Sequence, residues 1–305
     1  MVYNSILEAV GNTPIIKLNS FKAKGMADIY AKAEFLNVGG SIKTRTALEM
    51  IRSGLESGKI KRGGGVVEAT SGNQGIGLAL VCARLKLKCV LVMPNSVSSE
   101  RVKLMNLYGA SVVLVNDNND IGKAINECIK TAIKIASDKG YYFCNQFSNG
   151  YNLLAHYKNT ASEIIKDLGV IHGFCSGIGT GGTITGIGKA LKEVNKNIKI
   201  WAVEPQNGAI LSGKKVKSHI QMGIGDGLIP EILDKNIFEK ICLVSDKKAI
   251  FYAQKLAKNE GIACGISSGS NIYGAIKLAK ELGEGKKVLT ILPDSAERYF
   301  STALF

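Results

Sequence analysis

Short continuous apolar runs alternate along the chain with longer stretches of helical periodicity. Gly65-Val-Val-Glu-Ala69 reads as a buried strand, and Asn73 to Leu85 as the helix that follows it. Cys89-Val-Leu-Val-Met93 is the next strand, closed by Pro94. Ser99 to Tyr108 is helical, with Glu100, Arg101 and Lys103 set among apolar residues; Gly109 ends it, and Ser111-Val-Val-Leu-Val115 is again a strand. The alternation returns at Gly173-Phe-Cys175, Ile198-Lys-Ile-Trp-Ala-Val203 and Val288-Leu-Thr-Ile-Leu292. Strands without polar alternation are buried on both faces, and strand–helix–strand order places them in parallel sheets covered by helices. The series restarts after about residue 150, so the pattern predicts two α/β units without a long linker.

Composition narrows the class. With 305 residues, 46% hydrophobic and 21% charged, the chain has ample material for a core, which excludes disorder. Only 5 prolines and no Gly-x-y period exclude a collagen-like chain. No apolar run reaches the roughly 18 residues that span a bilayer, and Met1-Val-Tyr-Asn-Ser-Ile lacks a basic, then apolar, leader. The expectation is a cytoplasmic protein without a membrane partner. The 7 cysteines form no C-x-x-C pair and are odd in number, which predicts free thiols. The net charge of +14 comes from scattered lysines and no zinc-finger or RNA-recognition signature occurs, so solvated helix faces, not nucleic acid, are expected. Attraction of anionic small molecules is a second use for that charge. His156, His172 and His219 are far apart in sequence, no metal spacing occurs, and no metal is expected.

Three glycine-rich turns carry the candidate chemistry. Ser176-Gly-Ile-Gly-Thr-Gly-Gly-Thr183 lies between a strand and a helix. Its glycines let backbone N–H groups approach an anion at a helix start, and a phosphate is the expected guest. Gly177, Gly179 and Gly182 also satisfy G-x-G-x-x-G, with Glu204 ending the next strand, so a nicotinamide oxidoreductase is a competing reading. Thr70-Ser-Gly-Asn-Gln-Gly75 offers hydroxyls, an amide and backbone donors at another helix start, a cradle for a carboxylate, or else a helix cap. In Gly39-Gly-Ser-Ile-Lys43-Thr-Arg45 a lysine opens an apolar helix at Thr46 to Ile51. A lysine desolvated there has a lowered pKa and becomes a nucleophilic amine.

Together these turns resemble the cysteine synthase and cystathionine β-synthase family of pyridoxal-phosphate enzymes. Further matches are Gly11-Asn-Thr-Pro14, Gly265-Ile-Ser-Ser-Gly269, Leu292-Pro-Asp-Ser295 and the terminal Glu297-Arg-Tyr-Phe-Ser-Thr, so the resemblance runs almost end to end. It implies the tryptophan synthase β-like α/β fold: two open twisted sheets flanked by helices, with the active site between a smaller mobile domain (1–12 and 35–148) and a larger one (13–34 and 149–305). It implies a homodimer, pyridoxal 5'-phosphate as cofactor and small amino acids as substrates. Lys43 is implied to bind the cofactor covalently and later to move the Cα proton. Gly179, Thr180, Gly181, Gly182 and Thr183 are implied to hold the phosphate, Asn73 the ring hydroxyl, and Ser267 to face the pyridine nitrogen. Thr70, Ser71, Asn73 and Gln146 are implied to hold the substrate carboxylate. A neutral serine at the pyridine nitrogen makes a weaker electron sink than a carboxylate-paired ring and favours prompt β-elimination. A non-catalytic relative is expected to lose the lysine or the phosphate loop, and both are present.

The departures from the family pattern are informative. Val38, Ala69 and Gly150 stand where it usually has proline, Thr44 where it has aspartate, and Gln74 where it has threonine. In Gly223-Ile-Gly-Asp226-Gly-Leu228 an aspartate replaces the small apolar residue of sulfide-using members. A carboxylate there repels hydrosulfide and suits a general base toward water or a thiol, or a contact to a second substrate's ammonium group. The expected reaction is therefore β-replacement on L-cysteine, with sulfide released and L-serine or lanthionine formed. The alternative is O-acetyl-L-serine plus sulfide giving L-cysteine.

Overall fold

The computed structural model describes residues 2–116 and 121–305, and the side chains of all of these but 121 and 122. The chain begins with an antiparallel pair, β1 (Ile15–Lys17) and β2 (Asp28–Ala33). Helix α1 (Lys43–Glu56) leads into β3 (Gly65–Ala69), α2 (Asn73–Leu85), β4 (Lys88–Pro94), α3 (Ser99–Leu107), β5 (Ser111–Val115), α4 (Ile121–Lys139) and the short β6 (Tyr142–Phe143). Then come α5 (Gly150–Ala155), a π-helical turn at His156–Thr160, α6 (Ala161–Leu168), β7 (Gly173–Gly177), α7 (Gly182–Val194), β8 (Lys199–Pro205) and β9 (Lys240–Val244). Helices α8 (Asp246–Glu260) and α9 (Ile266–Leu282) precede β10 (Lys287–Leu292).

Two sheets result, in the orders β5-β4-β3-β6 and β1-β2-β10-β7-β8-β9. All the pairings are parallel except β1 with β2. The first pair in the chain thus joins the sheet built mainly from the C-terminal half, β2 against β10 from Asp28↔Lys287 to Ala33↔Leu292. A simple restart near residue 150 does not anticipate this crossover. Strand β2 contains Asp28 and Lys32, and its polar letters disguise a strand whose Lys32 is fully buried by an ion pair.

Each sheet is covered on both faces because successive strand side chains point opposite ways. In β3, Val66 joins Ile51, Ile76 and Leu78 of α1 and α2, whereas Val67 joins Cys128 and Ala132 of α4. In β10, Val288 and Leu292 pack with Leu256 and Leu278, whereas Leu289 and Ile291 pack with Ile184 and Ile187. Each such side chain contributes about 1.5–3 kcal/mol by leaving water, which is why these strands read as unbroken apolar runs. Helix α8 shows the local signals that bound a helix: Ser245 caps it by accepting from the Lys248 N–H at 3.4 Å, and Gly261 at φ 69° ends it. Among the described residues no helix is long and apolar enough to cross a membrane. The seven cysteines are free, and burial pushes the Cys175 and Cys264 thiols up to about 12.

Candidate active site

The turns after β3 and β7 leave the carboxyl ends of their strands and face one cleft between the two sheets, as open parallel sheets dictate. Lys43, Thr70, Ser71, Asn73, Gln146, Gly179, Thr180, Gly181, Thr183, Asp226 and Ser267 all line it. Residues more than 200 positions apart thus meet at one place.

Lys43 is the first residue of α1, which begins three residues earlier than the apolar run at Thr46 and continues to Glu56. Its Nζ lies 3.4 Å from Thr180 Oγ1. Burial holds its pKa down at about 8, against the charges of Asp226 and Glu68, which pull it upward. A substantial fraction of this amine is therefore neutral near that pH, the form a nucleophile needs.

The β7–α7 turn is a cradle without room for side chains. A Cβ on Gly179 would lie 2.2 Å from the Gly223 carbonyl oxygen, and one on Gly182 would lie 2.3 Å from Asn152 Oδ1. Gly181 caps α7 with φ 80°. Asn152 Nδ2 donates to Thr180 Oγ1 (2.9 Å) and to the Gln146 carbonyl (2.8 Å), tying the cradle to the opposite wall. His156 lies 3.2 Å from Thr183 Oγ1 through Nε2 and 3.1 Å from Thr160 Oγ1 through Nδ1. Burial holds this imidazole well below its usual pKa, so it is neutral, with one donor and one acceptor, and its tautomer sets which way the Thr183 hydroxyl points. No sequence spacing links His156 to Thr183; the π-helical turn and α7 bring them together.

In the turn after β3, Thr70 Oγ1 accepts the Gly72 N–H at 3.0 Å, so Thr70 closes the turn, and α2 has no side-chain cap. Asn73 Nδ2 donates to Asp294 Oδ2 at 2.7 Å, and its Oδ1 accepts from Arg298. Its second Nδ2 N–H is left for the cleft. Gln146 Nε2 donates to the Ala69 carbonyl at 2.9 Å and keeps one N–H for the cleft. Gln74, a departure from the family pattern, accepts from Thr46 Oγ1 at 2.6 Å, and its buried Nε2 has no partner among the described residues.

Glu68 is the residue sequence reading passed over. It is fully buried, and its carboxylate accepts the N–H groups of Ala69 (2.8 Å) and Gln146 (3.1 Å), clamping two cleft-lining segments together. A proline at 69 could not give the first of these bonds. Burial raises the Glu68 pKa to about 8. The available signal was one acidic letter inside the apolar run Gly65–Ala69.

Asp226 is partly buried, and desolvation raises its pKa against the lowering charges of His219 and Lys43. His219 Nδ1 accepts the Gln221 N–H at 3.2 Å while Nε2 reaches the Gly225 carbonyl at 3.0 Å, which props the backbone next to Asp226. Ser267 is the second residue of α9 and buried. Glu204 lies elsewhere: it accepts from the Leu211 N–H (2.8 Å) and Ser212 Oγ (3.0 Å). The acidic partner that a nicotinamide ribose requires is thus spent on a loop. Among the described residues no cluster of three metal-ligating side chains occurs.

These residues fit pyridoxal phosphate. The cradle admits an anion and no Cβ, and a desolvated amine stands beside its Thr180. Comparison with known proteins agrees. The family described as "Pyridoxal-phosphate dependent enzyme" matches residues 6–294. The chain is 43% identical over 304 residues to a cysteine synthase of Staphylococcus aureus, covering 99% of this chain and 97% of that one. It is 38% identical over 305 residues to the O-acetylserine dependent cystathionine beta-synthase of Bacillus subtilis, covering 100% and 98%. The solved structure of a hydrogen sulfide-producing enzyme from Fusobacterium nucleatum superposes with a TM-score of 0.92 at 37% identity, covering 98% of this chain and 100% of that one. With a cleft built this way and relatives matched along their whole length, the chain belongs to the pyridoxal-phosphate dependent enzymes, as a β-replacement enzyme of the cysteine synthase type.

Proposed function

We propose that the enzyme takes L-cysteine as donor, releases hydrogen sulfide and adds water or a second amino-acid thiol at the β-carbon. Water gives L-serine, and a second L-cysteine gives lanthionine; each event releases one hydrogen sulfide. The observation that carries this reading is a carboxylate, Asp226, on the wall of the cleft that holds Lys43. Its field opposes an incoming hydrosulfide anion and suits removal of a proton from water or a thiol. The name of the Fusobacterium structure agrees with sulfide release. The name of the Staphylococcus relative favours the second reading, L-cysteine made from O-acetyl-L-serine and sulfide.

When bound, pyridoxal phosphate supplies the electron sink that lets the donor lose its α-proton and its β-substituent. Residues Gly179 to Thr183 hold its phosphate in this reading, Asn73 its ring hydroxyl, and Ser267 faces its ring nitrogen with a neutral hydroxyl. Thr70, Ser71, Asn73 and Gln146 hold the donor carboxylate, and Lys43 takes the proton from the donor's Cα. The carboxylate turn and the phosphate cradle belong to different sheets, so closure of the smaller domain (1–12 and 35–148) on the larger (13–34 and 149–305) shuts the cleft over the donor. The reading carries with it a homodimeric, cytoplasmic enzyme. The test is holoenzyme fed L-cysteine alone, with products resolved by mass. Asp226→Asn is expected to cut sulfide release and L-serine or lanthionine yield by about 100-fold. Unchanged yield in that variant overturns the role of Asp226, and absence of sulfide from wild type overturns L-cysteine as donor.

A further inference from the structure

Three charged side chains line the cleft, and the proposed chemistry uses two of them, Lys43 and Asp226. The third is Arg101 of α3, only 1% exposed. Among the described residues no carboxylate pairs with it. The adjacent Glu100 is turned away, accepting the Ser301 N–H and hydroxyl at 2.9 Å each. Arg101 Nη1 donates to Ser98 Oγ at 2.8 Å and meets Met222 Sδ at 2.9 Å, while its Nε has no partner. Its guanidinium carbon stands 4.8 Å from the centre of the Tyr299 ring. A ring and a thioether compensate a buried cation weakly, and an unpaired buried charge is unfavourable until an anion meets it.

The position of Arg101 says which anion. A Cβ on Gly72, in the middle of the β3–α2 turn, would lie 2.2 Å from Arg101 Cδ, so the missing side chain at 72 lets the arginine reach that turn. Met222 stands four residues before Asp226 in the same loop. Arg101 thus bridges the donor's turn and the loop of the carboxylate, whereas the phosphate cradle has its own helix N-terminus for an anion. We propose that Arg101 binds the carboxylate of an incoming amino-acid thiol and so aims its sulfur into the cleft. This rests on the β-replacement reading above and names its second substrate as a zwitterionic thiol amino acid instead of water or hydrosulfide.

The test uses holoenzyme with O-acetyl-L-serine as alanyl donor and two acceptors. One is L-homocysteine, whose thiol lies on the γ-carbon and so cannot leave from Cβ. The other is homocysteamine, the same thiol amine without the carboxylate. Thioether formation is followed by mass. Wild type is expected to favour L-homocysteine in kcat/KM by about 10- to 100-fold, the range of a hydrogen bond to a charged group. Arg101→Met is expected to collapse that preference to within about threefold through KM for L-homocysteine, and Arg101→Lys to give an intermediate ratio. Equal use of the two thiols by wild type overturns the assignment without any variant, as does the absence of thioether from both with O-acetyl-L-serine and with L-cysteine as donor. A matching rise in KM for O-acetyl-L-serine in Arg101→Met also overturns it, because the arginine then serves the donor carboxylate. Sulfide release from L-cysteine alone tests the donor separately: failure there with the acceptor preference intact overturns the donor reading and leaves Arg101 in place.

Discussion

Replacing Lys43 with alanine is expected to lower turnover by about 1000-fold or more with L-cysteine or O-acetyl-L-serine as donor. The protein should still fold, because Lys43 begins α1 and its Nζ makes one long contact, 3.4 Å, to Thr180. What disappears is the amine whose pKa burial brings down to about 8 from 10.5. Near pH 8 about half of such an amine is neutral, against under about 1% for an ordinary lysine. The pH profile should follow. Uptake of pyridoxal phosphate by the cofactor-free protein, which requires the neutral amine, rises as pH climbs through about 8 and levels above it. Borohydride treatment of the wild-type holoenzyme followed by peptide mapping should leave the cofactor on Lys43, and the alanine variant should show no adduct. Wild type without an adduct on Lys43 would remove the basis of the proposed chemistry.

Replacing Arg45 with methionine is expected to destabilise the fold by about 3–5 kcal/mol, since it leaves the buried carboxylate of Glu34 without its cation and the partly buried Glu163 with Lys32 alone. Arg45 donates to Glu34 through Nε and Nη2 (2.8 Å each) and to Glu163 through Nη1 (2.6 Å) and Nη2 (2.7 Å). Lys32 Nζ completes the cluster, 2.8 Å from Glu163 and 2.5 Å from the Thr13 carbonyl. Thr13 Oγ1 donates to Glu34 at 2.6 Å, and Asn37 joins Glu34 at 3.1 Å to the Gly11 N–H at 3.0 Å. The Gly11-Asn-Thr-Pro14 motif is thus an anchor: it ties the start of the chain to the helix that begins with Lys43. Urea unfolding should show the loss as a lower midpoint with an unchanged slope.

The same cluster sets an acid limit. Desolvation raises the Glu163 pKa, and hydrogen bonds and charge from Arg45 and Lys32 overcome it, holding the group at about 2 against 4.5. A carboxylate with a depressed folded-state pKa stabilises fully above its unfolded value. That contribution, about 3 kcal/mol, fades as pH falls from about 4.5 toward 2. Unfolding midpoints compared between pH 6 and about pH 3 should drop less in Glu163→Gln than in wild type; an equal drop in the two proteins sinks the argument.

Much of the architecture was legible in the letters. Strand β3, helix α2 and strand β5 have the bounds that the apolar pattern predicts, because burial on both faces of a parallel strand and the glycines beside it are local signals. Strand β2 escaped, since Lys32 looks solvated until Glu163, far along the chain, arrives to pair with it. The turn residues of the cleft were also legible: glycines that admit no Cβ, and a lysine at a helix start, announce themselves at short range. Glu68, Asn152 and His156 did not, because each acts through a partner in another element.

From the sequence alone followed the alternation of strand and helix, the three turns and the family they resemble, all properties of neighbours along the chain. The tertiary structure alone decided that Glu68 clamps two cleft-lining segments, that Glu204 is spent on a loop and that Arg101 reaches the cleft without a carboxylate partner among the described residues. The reason is physical: desolvation and charge pairing depend on distance in space, and distance in space between residues hundreds of positions apart is set by how the two sheets pack.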